Sequence, residues 1–380
     1  MYQRLFATRS RVWATSEIWP IRSRLAQRRR TRTWVPPAGD TPSIAVARYS
    51  LVFCACLLAV TVSGADPGDL RARAAKALGT PDPASIDYPN GVPPTPAEIA
   101  LGRTLFFDPR LSATRSASCA TCHNPDLGFG DGLAKGRGVM GRELPRHAPH
   151  LYNVAWAPVL FWDGRAASLE EQALGPIQAP GEMALDLPTL LVRLNAVAAY
   201  RREFTAVYGP GPVTADRLAG AIAAFERTLV VRHTAYDRWQ TGDDRALGPE
   251  ATRGLALFLG KADCIACHSG PNFSDSSFHN LGRKDADRGR AGIVPGAAGE
   301  RAFKTPGLRN ALLTAPYMHD GGEPTLEAVV RFYNRGGDVP TPDPLVKKLH
   351  LAEDEIRDLV AFMGALTEPL EIPRPEIPAD

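Results

Sequence analysis

Cys119-Ala120-Thr121-Cys122-His123 and Cys264-Ile265-Ala266-Cys267-His268 decide how this chain of 380 residues is read. Both are C-x-x-C-H motifs, with two thiols one helical turn apart and an imidazole directly after them. Thiols so spaced can add across the two vinyl groups of a haem while the histidine reaches the iron. Four cysteines could instead make one four-thiolate zinc site, or two disulfides with three conceivable connectivities. Neither alternative accounts for a histidine after both pairs. Two covalently bound haem c groups are therefore expected, one at Cys119, Cys122 and His123 and one at Cys264, Cys267 and His268.

Working outward, Gly102-Arg103-Thr104-Leu105-Phe106 precedes the first motif and Gly254-Leu255-Ala256-Leu257-Phe258 the second, each ending a helix-like stretch. The motifs thus lie in an internal repeat of a small c-type haem domain. Thr95-Pro96-Ala97-Glu98 reads as a capping box with proline at the first helical position. Thr214 can cap a helix with Leu218, Ile222, Phe225 and Leu229 on one face, and Ile356, Leu359, Val360, Met363 and Leu366 form a second such stripe. Strand-like alternation is almost absent. The fold class expected is all-α, two cytochrome c-like haem domains in tandem, spanning 66–240 and 241–380. The Gly/Asp-rich stretch 241–248 marks the junction, and the Pro-rich stretches 81–96 and 368–378 read as extended arms.

Composition narrows the function classes. At 44% hydrophobic and 22% charged the chain is that of a globular protein, and 34 glycines with 34 prolines call for many turns. The net charge of +3 hides an asymmetry, because residues 1–65 hold ten arginines, no lysine and only Glu17 and Asp40 as acids. The remainder is mildly acidic and carries no basic cluster, which argues against nucleic acid as a partner. Leu51 to Val62 is an uncharged apolar run followed by Ser63-Gly64-Ala65, a secretory signal pattern with cleavage before Asp66. The run is shorter than the roughly 20 residues that span a bilayer. Residues 1–65 are taken as a signal-peptide region with an over-long start, initiation near Val46 being expected. Cys54 and Cys56 would leave with it. The mature protein is expected in the periplasm.

Beyond the motifs themselves, LGRTLFFDPRLS at 101–112, SCATCHNP, FWDGRA, EQALGPIQ, GEM and TPGLRNALLTAPYMHDG occur in order. Over roughly residues 92–370 the chain resembles the bacterial di-haem cytochrome c peroxidases and the related MauG-type enzymes. The resemblance implies a periplasmic two-haem protein that reduces hydrogen peroxide or uses it to oxidise another protein. It makes His123 the proximal ligand of the peroxidatic haem and His268 that of the electron-transfer haem. Trp162 matches the tryptophan between the haems, and Gln172 and Glu182 match the distal pair beside the open iron. Glu182 is placed to move a proton between the peroxide oxygens. Ser168-Leu169-Glu170-Glu171 reads as a capping box that puts Gln172 on a short helix.

At the second ligand of the electron-transfer haem the peroxidases have methionine, whereas Tyr333 stands here, as tyrosine does in MauG. Met318 is the competing ligand, and His319 is expected to pack or to meet a propionate. The family also binds calcium through an asparagine and carbonyls of a T-x-P segment. Thr314 and Pro316 match that segment, but His147 replaces the asparagine, so calcium is left open. His150, His233, His279 and His350 are expected to be structural. Many family peroxidases cap the resting peroxidatic iron with a loop histidine. That position falls on Val139, beside Met140, so an open iron is expected in the oxidised enzyme, with the loop Gly130 to Gly141 free to move.

The function expected is a periplasmic di-haem c-type peroxidase, reducing hydrogen peroxide with electrons from a small cytochrome c or cupredoxin. The alternatives are a MauG-like enzyme oxidising a protein or organic substrate and, in a different class, a non-catalytic electron-transfer cytochrome. A homodimer is left open.

Overall fold

The computed structural model of the chain describes residues 67–294, 299–339 and 343–379. The expected export signal, with Cys54 and Cys56, lies outside the described residues. The helices in chain order are α1 (Pro67–Ala77), α2 (Pro96–Phe107), α3 (Cys119–Cys122), α4 (Leu169–Gln178), α5 (Leu187–Ala196) and α6 (Ala198–Tyr208). They continue with α7 (Ala215–Glu226), α8 (Ala235–Gln240), α9 (Pro249–Phe258), α10 (Leu326–Arg335) and α11 (Glu353–Gly364). Two short antiparallel strands, β1 (Phe278–His279) and β2 (Phe303–Lys304), pair Phe278 with Lys304 and His279 with Phe303. The protein is helix-rich with little strand, as the sequence pattern predicts. No described helix is long and apolar enough to cross a membrane.

One packing solution occurs twice. Helix α2 crosses α7, and α9 crosses α11, each through a glycine. A Cβ at Gly102 would lie 1.7 Å from the carbonyl oxygen of Ala221, and one at Gly254 1.9 Å from that of Asp358. Only glycine lets the backbones approach so closely. The phenylalanine that ends each glycine stretch fills the crossing. Phe106 meets Phe225 and Phe129, with ring centroids 5.1 and 6.5 Å away, and Phe258 meets Phe362 and Phe273 at 5.3 and 6.0 Å.

The equivalence extends into the loops. Asn153 and Asn310, both left-handed, bracket the strand-like exits of α7 and α11. The Asn153 side chain pairs with both backbone groups of Val231, and that of Asn310 with both of Glu368. Tight loops then follow in the same register, closed by the bridges Leu160–Ala166 and Tyr317–Glu323. Helices α4 and α10 come next, capped by Ser168 and Thr325. In this frame Trp162 is the counterpart of His319, Gln172 of Val329, and Pro176 of Tyr333.

Capping follows expectation with two refinements. Thr95 accepts from the Glu98 amide at 3.1 Å, but the Glu98 carboxylate turns to the Tyr208 hydroxyl at 2.8 Å instead of closing the box. Ser168 accepts from the Glu171 amide at 3.1 Å, and the Glu171 carboxylate reaches the Ala167 amide. Thr214 caps α7, whose Leu218, Ile222 and Phe225 are buried together with Leu229. In α11 the stripe is buried except at Val360, which is half-buried.

Packing crosses the division expected at 240/241. Leu70 and Ala74 of α1 and Leu78 just after it, with Tyr236 and Trp239 of α8, sit in one core with Phe258, Phe273 and Phe362. Conversely Leu370 and Ile372 pack on the cluster around Phe106 and Phe225. Each end of the described chain therefore covers the far half, because apolar side chains at both ends find their burial there.

Candidate functional site

The first C-x-x-C-H motif forms α3, and the second a single 3-10 turn, Cys264–Ala266. In both, the turn brings the histidine amide back to the first cysteine's carbonyl, at 2.9 Å for His123 and 2.8 Å for His268. Each ring is then fixed by a carbonyl. His123 Nδ1 donates to Phe129 O at 3.1 Å, and His268 Nδ1 to Phe273 O at 2.8 Å. Phe129 and Phe273 hold left-handed backbones, at φ 59° and 54°, to aim these carbonyls. A carbonyl can only accept, so Nδ1 carries the proton and Nε2 keeps its lone pair. Burial lowers the pKa of both histidines, which keeps them neutral and fit for a metal.

Each motif opens on its own cavity. One of about 820 Å³ is lined by Cys122 and His123 together with Gln172, Pro176 and Glu182. The other, of about 560 Å³, is lined by Cys264, Cys267 and His268 together with Tyr333 and Met318. Both are of cofactor size. The four motif cysteines form no disulfide. Because the pairs face different cavities they do not converge on one zinc ion. Burial pushes the Cys264 thiol up to about 12 and the Cys267 thiol up to about 11. Cavity size, thiol placement and the carbonyl-fixed imidazoles fit a haem c at each motif.

Trp162 lines both cavities. Its indole N–H donates to His147 O at 2.9 Å, and its carbonyl accepts from the Lys304 amide at 2.8 Å. The loop carrying it is pinned by buried Asp163, which meets Arg146 at 2.6 Å and Arg165 at 2.9 Å. Gln172 lies on α4, as the capping pattern predicts, and Glu182 follows the turn after it. Burial raises the pKa of Glu182, and the Arg165 charge opposes this in part.

The glycine-rich loop docks through Gly138 and Val139 on the segment of Glu182. The Val139 amide donates to Glu182 O at 2.8 Å, and Gly138 lies so close that a Cβ would meet Gly181 O at 1.8 Å. Val139 is buried, whereas Met140 is 83% exposed and cannot reach the cavity from there. His147 and His150 line this cavity but are held by carbonyls, His147 Nδ1 by Leu133 O at 2.8 Å and His150 Nε2 by Gly307 O at 3.1 Å. Burial takes His150 down to about 4. His233 and His350 are exposed. His279, on β1, lies between Asp343 and Asp275 at 2.9 and 3.1 Å, which raises its pKa despite burial.

The calcium site implied by the resemblance lacks one of its donors. Where an asparagine oxygen is required, His147 presents an N–H already committed to Leu133 O at 2.8 Å. Calcium takes oxygen ligands, so the implied site is incomplete. Lys304 and Glu226 are charged groups of the cavities that no motif singles out. Lys304 lines both cavities, and burial lowers its pKa. Glu226, at the end of α7, lines the larger cavity and has a carboxylate oxygen without a partner; burial pushes it up to about 8. Isolated lysines and glutamates carry no local signal, and only tertiary structure places these two.

A family profile described as di-haem cytochrome c peroxidase matches residues 96–245. The methylamine utilization protein MauG of Methylorubrum extorquens is 46% identical over 78% of this chain and 86% of its own length. The chain belongs to the di-haem cytochrome c peroxidase family. The cytochrome c551 peroxidase of Nitrosomonas europaea is another relative, 38% identical over 73% of this chain and 82% of its own. Among solved structures, a MauG-like protein associated with microbial copper homeostasis superposes with a TM-score of 0.69 at 31% identity, covering 74% of this chain and 92% of that one. Its relatives are named as MauG proteins and as cytochrome c peroxidases, and this chain is a di-haem oxidoreductase of their family.

Proposed function

We propose that this protein uses hydrogen peroxide to oxidise a protein or organic substrate, with haem c covalently held by Cys119 and Cys122 at one cavity and by Cys264 and Cys267 at the other. The observation that carries this reading is the contrast between Pro176 and Tyr333. They occupy the same position from the caps of equivalent helices, and each lines its own cavity. Proline offers no donor, so the face opposite His123 stays open, whereas the phenol opposite His268 closes the other. Bound haem supplies an iron that takes up peroxide at the open face and an electron store at the closed one.

The residues divide the remaining work. Glu182, desolvated and half-buried, takes the proton from one peroxide oxygen and returns it to the other, and Gln172 orients the peroxide by hydrogen bonding. Trp162 bridges the cavities. Lys304 supplies a positive charge between them for haem carboxylates. Burial pushes the Tyr333 hydroxyl above its ordinary value, so it ionises only against a cation. A phenolate is a hard anionic donor that favours oxidised states, which suits storing oxidising equivalents better than accepting electrons from a small cytochrome. The expected export signal at 51–65 places this chemistry in the periplasm.

A second reading, a peroxidase fed by a small cytochrome c or cupredoxin, is favoured by Met318, which also lines the cavity of His268. The test mixes diferric holoprotein with peroxide, with and without reduced cytochrome c. The expected result is immediate reaction without prior reduction, a high-spin electron paramagnetic resonance signal from one haem, and slower cytochrome oxidation than in Tyr333→Met. Two low-spin signals, with activity only after partial reduction, would overturn the open-face assignment. Faster cytochrome oxidation by the wild type than by Tyr333→Met would favour the second reading.

A further inference from the structure

A cluster of two carboxylates and one imidazole lies beside Trp162 on the wall of the cavity of His123, with no role in the proton transfer or the thiol attachment proposed above. Asp285, His319 and Asp320 each bring a ligand atom to within 4.8 Å of the others. His319 is 5% exposed, and its Nε2 is 3.2 Å from Asp285 Oδ2 yet has no hydrogen-bond partner of acceptable geometry. A buried imidazole nitrogen is seldom left unmatched. The ring is fixed in this orientation. It stacks on Phe303 with centroids 3.5 Å apart and planes at 12°, and the His319 carbonyl accepts from the His147 amide at 2.8 Å.

The two carboxylates keep lone pairs for a further partner. Asp285 spends Oδ1 on the Asp287 amide at 2.8 Å and leaves Oδ2 toward His319. Asp320 accepts from Arg283 and from the Gly322 amide, which does not exhaust its four lone-pair sites. The nearby guanidinium groups are engaged elsewhere, Arg283 with Asp320 and Glu323 and Arg146 with Asp163 and Asp287. Burial lowers the pKa of His319, which keeps its lone pair available.

We propose that Asp285, His319 and Asp320 bind one divalent first-row transition cation of the zinc or manganese kind. One imidazole nitrogen with two carboxylate oxygens suits such ions, whereas calcium requires six to eight oxygens. Three protein ligands leave the remaining positions to water. The ion ties the segment after β1 to the loop bearing His319. It also puts positive charge beside Trp162, whose ring centroid is 6.4 Å from that of His319.

The test uses full-length holoprotein dialysed against a chelator and titrated calorimetrically with Zn2+, Mn2+ and, separately, Ca2+. The expected result is one equivalent of Zn2+ or Mn2+ per chain, weakened at least about tenfold in both Asp285→Asn and His319→Gln. Haem absorption and far-ultraviolet dichroism should be unchanged, and Ca2+ should not compete. Asp285 is only half-buried, so its variant remains interpretable if His319→Gln fails to fold. Absence of binding, retention of wild-type affinity in Asp285→Asn, or equal affinity for Ca2+ would each overturn the proposal.

Discussion

Replacing Glu182 by glutamine removes one titrating group and little else. The backbone bonds that hold this residue, from its amide to Ala179 O at 2.9 Å and from the Val139 amide to its carbonyl at 2.8 Å, do not involve the carboxyl. Glutamine matches glutamate in size, so loop and cavity should stay as they are. A positioned general acid/base contributes about 10²–10⁴-fold, equivalent to about 2.7–5.4 kcal/mol. Stopped-flow mixing of diferric holoprotein with peroxide should show a loss of that size in Glu182→Gln. The pH profile carries the sign. Glu182 must be ionised to accept the first proton, and burial raises its pKa while exposed Arg165, engaged with Asp163, offsets this only in part. The rate should therefore fall as pH drops through a value above that of an ordinary carboxylate, and Glu182→Gln should abolish this limb. Wild-type rates in Glu182→Gln would refute the reasoning. So would a surviving limb near pH 8, which would point to Glu226.

Both haems should stay with the polypeptide in acidified organic solvent, and Cys264→Ser with Cys267→Ser should remove the second haem alone; release of either from the wild type would exclude thioether attachment. Tyr333→Met should raise the potential of the second haem in a spectroelectrochemical titration, because a thioether favours the ferrous state. An unchanged potential would identify Met318 as the ligand. Gly102→Ala and Gly254→Ala should each destabilise the protein by at least about 1–3 kcal/mol in denaturant unfolding, since each added Cβ would overlap a backbone carbonyl. Wild-type midpoints would mean that the helices do not cross there.

The two C-x-x-C-H motifs are legible in sequence because the covalent haem attachment proposed for them demands fixed residue types at fixed spacing. The helices are legible because Thr95, Ser168 and Thr214 announce their starts and Leu218, Ile222 and Phe225 their buried faces. Much else is written only in contacts distant along the chain. Nothing near Leu70 or Ala74 says that α1 covers Phe258 and Phe273, and nothing around Lys304 says that it faces both cavities. Met140 shows the converse. It is adjacent to the position of interest, yet a left-handed backbone at φ 61° and 83% exposure turn it to solvent. Distance along the chain gave no hint of this, because the docking of Val139 on Glu182 decides it.

The repeat gives the asymmetry of the molecule a physical origin. The backbone is nearly the same twice, from the glycine crossings to the left-handed Phe129 and Phe273 that aim their carbonyls at the two histidines. Where the halves differ, they differ in side chains at matched positions. Pro176 faces one cavity where Tyr333 faces the other, and Trp162 stands where its counterpart is His319. Glu226 and Met363 precede the matched residues Leu229 and Leu366 by the same step, and each lines its own cavity. An unpartnered acid therefore lies in the first pocket where a thioether lies in the second. A duplicated scaffold with both helix positions occupied by ligands would only store electrons. In the function proposed above, the lack of a donor at Pro176 leaves one cavity open to peroxide, while Tyr333 closes that of His268 and Trp162 lines both.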